Sequence, residues 1–476
     1  TKIYVRLQSG IFPACLKQSI VVPRLKKDSL PLDCLSNYRP ISNLSYLAKL
    51  IERAVAQQIH RYLNSYSMLP VTQSAYRPCH SVETALLRVQ NDTLKALDDH
   101  QEVILVLLDN SAAFDTISHD TLLQRLSRRY GFSKTVLSWF KSYISDRTHT
   151  VKIKDAISKV YNDKCGIAQG SVLGPLTYIL YSAPIADIIA AHGLQSMLYA
   201  DDTQIYIAFH PSDRGNAITR LNKCIDDIRS WSAQNSLKFN DNKTEVIHFS
   251  SKFREPPPPI SITVGDTEIQ SADSARNLGV VMDRHVTMKG HIKNICKSSM
   301  IAIRSIGQIR PYLSSIATKS LIHSFVTSRI DTCNSLLYGL PQYQIQQLQR
   351  IQNTSARLVH RTPRRKSVTP LLQQLHWLPV HLRIVFKILL FTFKALKNAS
   401  PNYISSLITP RIPARSLRSS SQHRLHVPTV LTQFYGSRAF QAASPSLWNS
   451  LPLHIRQCTT IQSFKSSLKT SLFSKL

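Results

Sequence analysis

Met197-Leu198-Tyr199-Ala200-Asp201-Asp202-Thr203-Gln204-Ile205-Tyr206-Ile207-Ala208 sets two adjacent acids between short apolar runs. Met197 to Tyr199 and Gln204 to Ala208 read as strands, which puts Asp201 and Asp202 at the tight connection between them. Taken alone, such a pair is most simply a surface hairpin turn. A third acid shifts that balance. Val103 to Leu108 is six apolar residues ending on Asp109, the pattern of a fully buried strand. A lone charge there is costly unless something pairs it. Three carboxylates repel one another, and hard divalent cations such as Mg²⁺ reverse the sign of that interaction. Two such ions about 3.5–4 Å apart clamp the attacking and leaving oxygens of a phosphoryl transfer.

Working outward, helices are expected over about Tyr46–Tyr62 and Ser81–Leu97, and over Leu122–Tyr143 with one break near Gly131. Others are expected from Gly170-Ser171 to about Ala191 and from Asn216 to Ser232. Thr148–Ile153, Glu245–Phe249 and Asn277–Met282 read as single strands. Pro256 to Pro259 reads as a stiff spacer. Beyond 286 the pattern turns helical, at roughly 287–307, 315–330 and 341–359. Strands with intervening helices followed by a helical half indicate an α+β fold with an appended all-α region.

The chain has 476 residues, room for two to four folded units at roughly 100–200 residues each. Its 43% hydrophobic content supports a true core, and 13 glycines exclude a collagen-like chain. Lys and Arg number 59 against 28 Asp and Glu, a net charge of +31. The excess is localised. Residues 286–476 hold 26 bases and a single acid, Asp331, whereas residues 1–285 hold 33 bases and 27 acids. The first part reads as an enzyme core with carboxylates, and the second as a polyanion-binding surface.

The eight cysteines form no Cys-x-x-Cys pair and no zinc-type spacing. They read as reduced, mostly buried thiols of an intracellular protein. No run approaches the ~20 apolar residues of a membrane span. The best candidate, Ile384–Phe393, carries Lys387. There is no cleavable signal pattern, and a chain starting at Thr1 reads as a piece of something longer.

Seven segments in fixed order resemble the reverse transcriptase of non-LTR, LINE-type retrotransposons of the Jockey/CR1/L2-like group. They are Asn37-Tyr38-Arg39-Pro40-Ile41-Ser42; Gln73-Ser74-Ala75-Tyr76-Arg77 with Glu83-Thr84-Ala85-Leu86-Leu87; and Asp109-Asn110-Ser111-Ala112-Ala113-Phe114-Asp115. Gly166-Ile167-Ala168-Gln169-Gly170-Ser171-Val172-Leu173-Gly174-Pro175, Tyr199-Ala200-Asp201-Asp202, Lys243-Thr244-Glu245 and Asn277-Leu278-Gly279-Val280 complete the order. The resemblance runs from about residue 20 to the C-terminus. It implies a right-hand polymerase: an N-terminal extension and fingers (1–101), a palm with an antiparallel sheet and finger insertions (102–285), a helical thumb (286–362) and a basic, mostly helical C-terminal region (363–476).

The resemblance also implies roles. Asp109, Asp201 and Asp202, with the backbone carbonyl of Asn110, would hold two Mg²⁺ (or Mn²⁺). Lys243 would protonate the pyrophosphate leaving group; a surface ion pair with Glu245 explains it equally cheaply. Arg39 would pair bidentately with triphosphate oxygens, with Lys26 or Lys27 as companion. Phe114 would exclude a ribose 2′-OH. Gln169 would touch the incoming nucleotide, and Gly170 would allow close backbone approach to it. Asn110 stands where the family usually has Leu, and Ala168 where it usually has Pro. Lys289, Lys293 and Lys297, four apart, share a helix face. Together with Arg361, Arg364, Arg365 and Lys366 they would contact phosphates. Tyr312, Tyr338, Tyr343 and Trp377 lie among these bases, either to stack on unpaired nucleotides or as core.

The expected partners are an RNA template, a DNA primer or target and dNTPs, with no membrane. The expected place of action is the nucleus, after translation in the cytoplasm. No endonuclease, Cys/His knuckle or RNase H acid cluster is legible, so target cutting is expected from elsewhere. The competing readings are a non-catalytic nucleic-acid-binding remnant of such an element and, further off, a maturase- or telomerase-like polymerase.

Overall fold

The computed structural model describes residues 9–111, 114–411 and 422–474. Ala112 and Ala113 of the quoted motif lie outside the described residues, as do the side chains of Asn110 and Ser111.

The palm is a four-stranded antiparallel sheet in the order Glu245–Phe249, Glu102–Leu108, Asp202–Phe209, Gln195–Tyr199. Its second strand explains its own composition. Ile104, Val106 and Leu108 point into a core shared with helix Arg214–Gln234, against Leu221, Ile225 and Ile228. Val103 and Leu105 point the other way, into a core shared with helix Val82–Asp98. Both faces are buried, so the strand is apolar throughout instead of alternating.

Helix Val82–Asp98 is fixed at its start by a capping box: Thr84 N donates to Ser81 Oγ at 3.1 Å and Ser81 N to Thr84 Oγ1 at 2.9 Å. It is buried nearly all round and carries Glu83, Gln90, Asn91 and Asp98 inside. Their partners come from the C-terminal half. Lys387 Nζ donates to Glu83 Oε2 at 3.0 Å and Ser335 Oγ to Glu83 Oε1 at 2.7 Å. Gln90 donates to Leu336 O, Asn91 accepts from Gln441 N, and Asp98 accepts from Leu431 and Thr432. The thumb helices Lys289–Ile309 and Gln342–His360 and the C-terminal helices Val380–Leu396 and Ile461–Phe473 complete the same core. Phe393 stacks on Phe464 within it, at 4.3 Å.

The fingers carry a separate five-stranded sheet that includes Gln18–Leu25, Tyr38–Asn43 and Arg147–Ile153. Their own core is built on helices Tyr46–Ser65 and Lys134–Ile144.

Several expectations need correction. Asn277–Met282 is not one strand but the heart of a hairpin, Ser274–Asn277 with Val280–Asp283. Leu278 and Gly279 both take positive φ (44° and 88°), the geometry of a two-residue turn, which an apolar run conceals. The helix expected over Gly170–Ala191 starts at Gly174 and is split into Gly174–Ser182 and Pro184–Ala191, because Pro184 has no N–H to continue the ladder. Helix 315–330 passes through a π-turn at His323–Thr327. Among the described residues the stretch long and apolar enough for a membrane span is Gly174–Ala191, not Ile384–Phe393, and 61% of it is buried inside the protein. All eight cysteines are free, but only Cys224 and Cys333 are buried; Cys15, Cys34, Cys79 and Cys165 are exposed, so "mostly buried" does not hold.

His291, at the root of the first thumb helix, is buried, and its Nε2 meets no hydrogen-bond partner. Burial first, then the Arg276 charge, pushes its pKa from 6.5 down to about 4. The unfolded chain therefore takes up this proton first. The contribution is complete above pH ~6.5 and shrinks as pH falls toward about 4. In urea titrations across that window, His291→Phe should flatten the fall in stability relative to the wild type.

Candidate active site

The palm registers bring the acids together. In the pairing of Glu102–Leu108 with Asp202–Phe209, Leu108 faces Thr203, so the next step sets Asp109 opposite Asp202. In the pairing with Glu245–Phe249, Leu107 faces Glu245, and the same continuation sets Lys243 opposite Asp109. Lys243, Asp109 and Asp202 thus form a row across one end of the sheet, with Asp201 in the hairpin turn beside them. Lys243 Nζ donates to Asp109 Oδ2 at 2.8 Å. The alternative partner, Glu245, instead accepts from Arg276 N.

Asp202 is pushed up to about 6, by burial first and then by the Asp201 and Asp109 charges. Part of the residue is nonetheless open to solvent, at the head of its strand. Asp201 is also raised, chiefly by burial and then by Asp109, while Arg39 and Lys243 pull it back. Arg39, exposed on strand Tyr38–Asn43, therefore lies within electrostatic reach of the acids. Asn110 forms a two-residue bridge strand with Ser111, paired to Lys238–Phe239.

Among the described residues no group of three His, Cys, Asp or Glu side chains closes into a metal cage; Asp109 is turned to Lys243. The donor set nonetheless fits hard divalent cations: oxygen-only ligands on one sheet end, with protonation favoured by burial first and then by mutual repulsion. Cations relieve that repulsion.

Around this row the sequence expectations divide. Phe114 packs its ring against Tyr178, 5.4 Å between centroids, at the margin of the fingers core. Lys26 is held by the Ser36 carbonyl at 2.8 Å, whereas Lys27 is exposed. Gln169 does not offer its amide to the cleft: Nε2 donates to both oxygens of Asp115, at 2.9 and 2.8 Å. Gly170 approaches protein, not open space. At φ 119°, a Cβ would lie 2.6 Å from the Ser42 carbonyl, and Ser42 N donates to Gln169 O at 2.7 Å. These two residues weld the fingers strand to the palm.

On the thumb, Lys289, Lys293 and Lys297 are exposed along one face of their helix, and Arg304 extends the same stripe. Arg361 is tied to the Arg310 and Pro311 carbonyls at 3.1 and 3.2 Å, a structural use the sequence reading missed. Arg364, Arg365 and Lys366 are exposed in the following turn. Arg310, Arg350, Arg357, Arg361 and Arg364 line a groove of about 630 Å³ with no acid in its walls. Trp377 is core, 2% exposed and against His323, so it stacks on no nucleotide; Tyr312 and Tyr343 are exposed and Tyr338 is half-buried.

Two residues near the acids escaped the sequence reading. Gln73 Oε1 accepts from Ala200 N at 3.3 Å, holding the turn between the two strands that flank the acids. Tyr76, 49% exposed, is raised by burial and then by Asp201 beside it. Both sit in a quoted motif, but nothing local in the sequence indicates which of its positions face the acids.

Gly170→Ala should cost roughly 1–3 kcal/mol through strain at positive φ and the Ser42 clash. Gly215→Ala, with nothing within 4 Å of a new Cβ, should not destabilise. Chemical denaturation of the two variants checks the contrast.

Residues 25–282 match the profile of the family described as reverse transcriptase (RNA-dependent DNA polymerase). A probable RNA-directed DNA polymerase from transposon X-element of Drosophila melanogaster is 29% identical over 363 residues, 75% of this chain and 38% of its own. The RNA-directed DNA polymerase from mobile element jockey of Drosophila funebris is 28% identical over 61% of this chain and 31% of its own. The chain thus spans about a third of the length of these curated relatives. Among solved structures, apo telomerase from Candida tropicalis aligns with a TM-score of 0.41 at 12% identity, over 79% of this chain and 70% of that one. By the profile match, the chain belongs to the reverse transcriptase (RNA-dependent DNA polymerase) family, in the LINE-type kind its curated relatives represent.

Proposed function

We propose that this chain is an RNA-directed DNA polymerase that extends a DNA 3′-OH on retroelement RNA, using dNTPs and releasing pyrophosphate. The observation that carries this is the Lys243–Asp109–Asp202 row with Asp201 at its side, held by the register of a strand buried on both faces.

Asp109, Asp201 and Asp202, with the Asn110 carbonyl, would hold two Mg²⁺ (or Mn²⁺). Bound there, the ions supply Lewis acidity for negative charge on the reacting oxygens. The primer 3′ hydroxyl gives up its proton to water as its oxygen bonds to the α-phosphorus, the α–β bridging bond breaks, and pyrophosphate departs. Arg39 binds the triphosphate as a two-pronged donor, with Lys27 as its point-charge companion because Lys26 is held elsewhere. Lys243 neutralises Asp109 at rest and, once the cleft is filled, delivers its Nζ proton to the leaving pyrophosphate. Phe114, braced by Tyr178, walls off the space of a 2′-OH. Gln169 and Gly170 act at one remove, by fixing the cleft wall.

The fingers, palm, thumb and basic C-terminal region keep their expected extents as working divisions. The thumb stripe Lys289, Lys293, Lys297 and Arg304 follows the template–primer backbone, with Arg364, Arg365 and Lys366 beyond it. Nicking of the target falls to an endonuclease outside these residues, and the site of action is the nucleus.

Primer extension on an RNA template with a DNA primer tests the reaction. The wild type should extend, and Asp201→Asn/Asp202→Asn should not. If neither extends while both bind the duplex alike, the chain is a binding remnant instead. Separately, Lys293→Gln/Lys297→Gln/Arg304→Gln should weaken duplex binding and make log Kd less steep in log salt by about 2–3. An unchanged slope removes the stripe from the interface.

A further inference from the structure

The reading above leaves the C-terminal region only a binding role, yet one of its side chains reaches the back of the catalytic turn. Tyr403 is buried, and its hydroxyl lies 2.8 Å from Ser74 Oγ and 3.1 Å from Thr84 Oγ1. Ser74 Oγ also contacts Met197 Sδ at 3.4 Å. A thioether only accepts, so in that contact Ser74 is the donor; between the Ser74 and Tyr403 hydroxyls either oxygen can donate. Arg88 Nη1 fixes the Tyr403 backbone by donating to its carbonyl at 2.9 Å.

From Ser74 the connection to the acids is short. Ser74 N donates to Leu198 O at 2.8 Å, and Leu198 N to Thr72 O at 3.0 Å, so 72–74 lies alongside the first strand of the catalytic hairpin. The next residue in that register, Gln73, is 2% exposed. Its Oε1 accepts from Ala75 N at 3.0 Å and from Ala200 N at 3.3 Å. Ala200 precedes the two acids and sits at φ 58°, a left-handed conformation that alanine rarely adopts unless its surroundings impose it. The Gln73 hydrogen bond is such an imposition.

We propose that Tyr403 is a positioning residue of the polymerase centre. Through Ser74 and Gln73 it holds the Ala200–Asp202 turn in its strained form, so the C-terminal region is a working part of the catalytic unit. This rests on the polymerase reading above for its kinetic consequence, though not for its geometry.

The test uses the full chain and four variants: Tyr403→Phe, Ser74→Ala, the double variant, and Tyr435→Phe. Tyr435, also buried and also C-terminal, accepts from Lys252 N at its hydroxyl oxygen, away from the turn. Tyr403→Phe should lower kcat about tenfold or more, since small misplacements at a reacting centre carry losses of that order. KM for dNTP and Kd for the duplex should stay put. Ser74→Ala should do the same, and the double variant should lose no more than either alone. Tyr435→Phe should lower Tm comparably and keep kcat. If Tyr403→Phe behaves as Tyr435→Phe does, Tyr403 is packing only and the inference fails; the same follows if the two single losses add. If the wild type extends no primer, the polymerase reading fails by itself, and amide exchange decides the positioning role. Faster exchange at 198–202 in Tyr403→Phe, and not in Tyr435→Phe, sustains the coupling, and equal exchange overturns it.

Discussion

Strand Glu102–Leu108 is hydrogen-bonded along both edges and packed on both faces, so it has no freedom to slide. A slip of one residue would turn Ile104, Val106 and Leu108 from one core into the other. It would also draw Asp109 away from both Lys243 and Asp202. The geometry of the cleft is therefore set by apolar packing well below it. No carboxylate in the row has to find its neighbours, because the ladder delivers them and leaves them repelling one another. Burial first, and that repulsion second, raise Asp202 to about 6, and Lys243 donates to Asp109 in the same row.

Charge is partitioned to match. Nearly all acids lie before residue 286, and the one that follows, Asp331, is taken up by Arg383. The thumb and C-terminal surfaces thus face solvent as bases with few internal counter-charges. Such a surface gains from releasing condensed counterions when it meets a polyanion. Several arginines are nonetheless committed to the fold: Arg310 caps the carbonyls of Leu358 and Val359, and Arg438 reaches Val286 O. A count of bases overstates the binding surface by these.

What could be read from the chain was what short-range pattern encodes. The palm strands, the helix opening at Ser81, the acids and the lysine stripe all declare themselves within a few residues. The turn at Leu278-Gly279 did not, because an apolar run through a tight reversal looks like one strand. Gln169 and Gly170 were recognisable as a motif, but their partners, Asp115 and Ser42, are fixed only by tertiary structure. Trp377 and Arg361 looked available among the bases until the fold buried one and bonded the other. The role of the last hundred residues was the least legible, since the contacts that tie Tyr403 to Ser74, Thr84 and Arg88 cross 315 to 329 positions.

Those crossings govern how the chain can fold. Helix Val82–Asp98 buries Glu83, Asn91 and Asp98, whose partners lie 252 to 350 residues further along. During synthesis the helix leaves the ribosome long before any of them exists. Until then its polar groups stay solvated, and the palm core on that side stays open. Folding must wait for nearly the last helix, which makes the topology slow and exposes an apolar face meanwhile. A copy ending early, even one that keeps every palm acid, would lack the side chains that close the helix in. The packing behind the palm acids thus depends on side chains supplied 252 to 350 residues further along the chain.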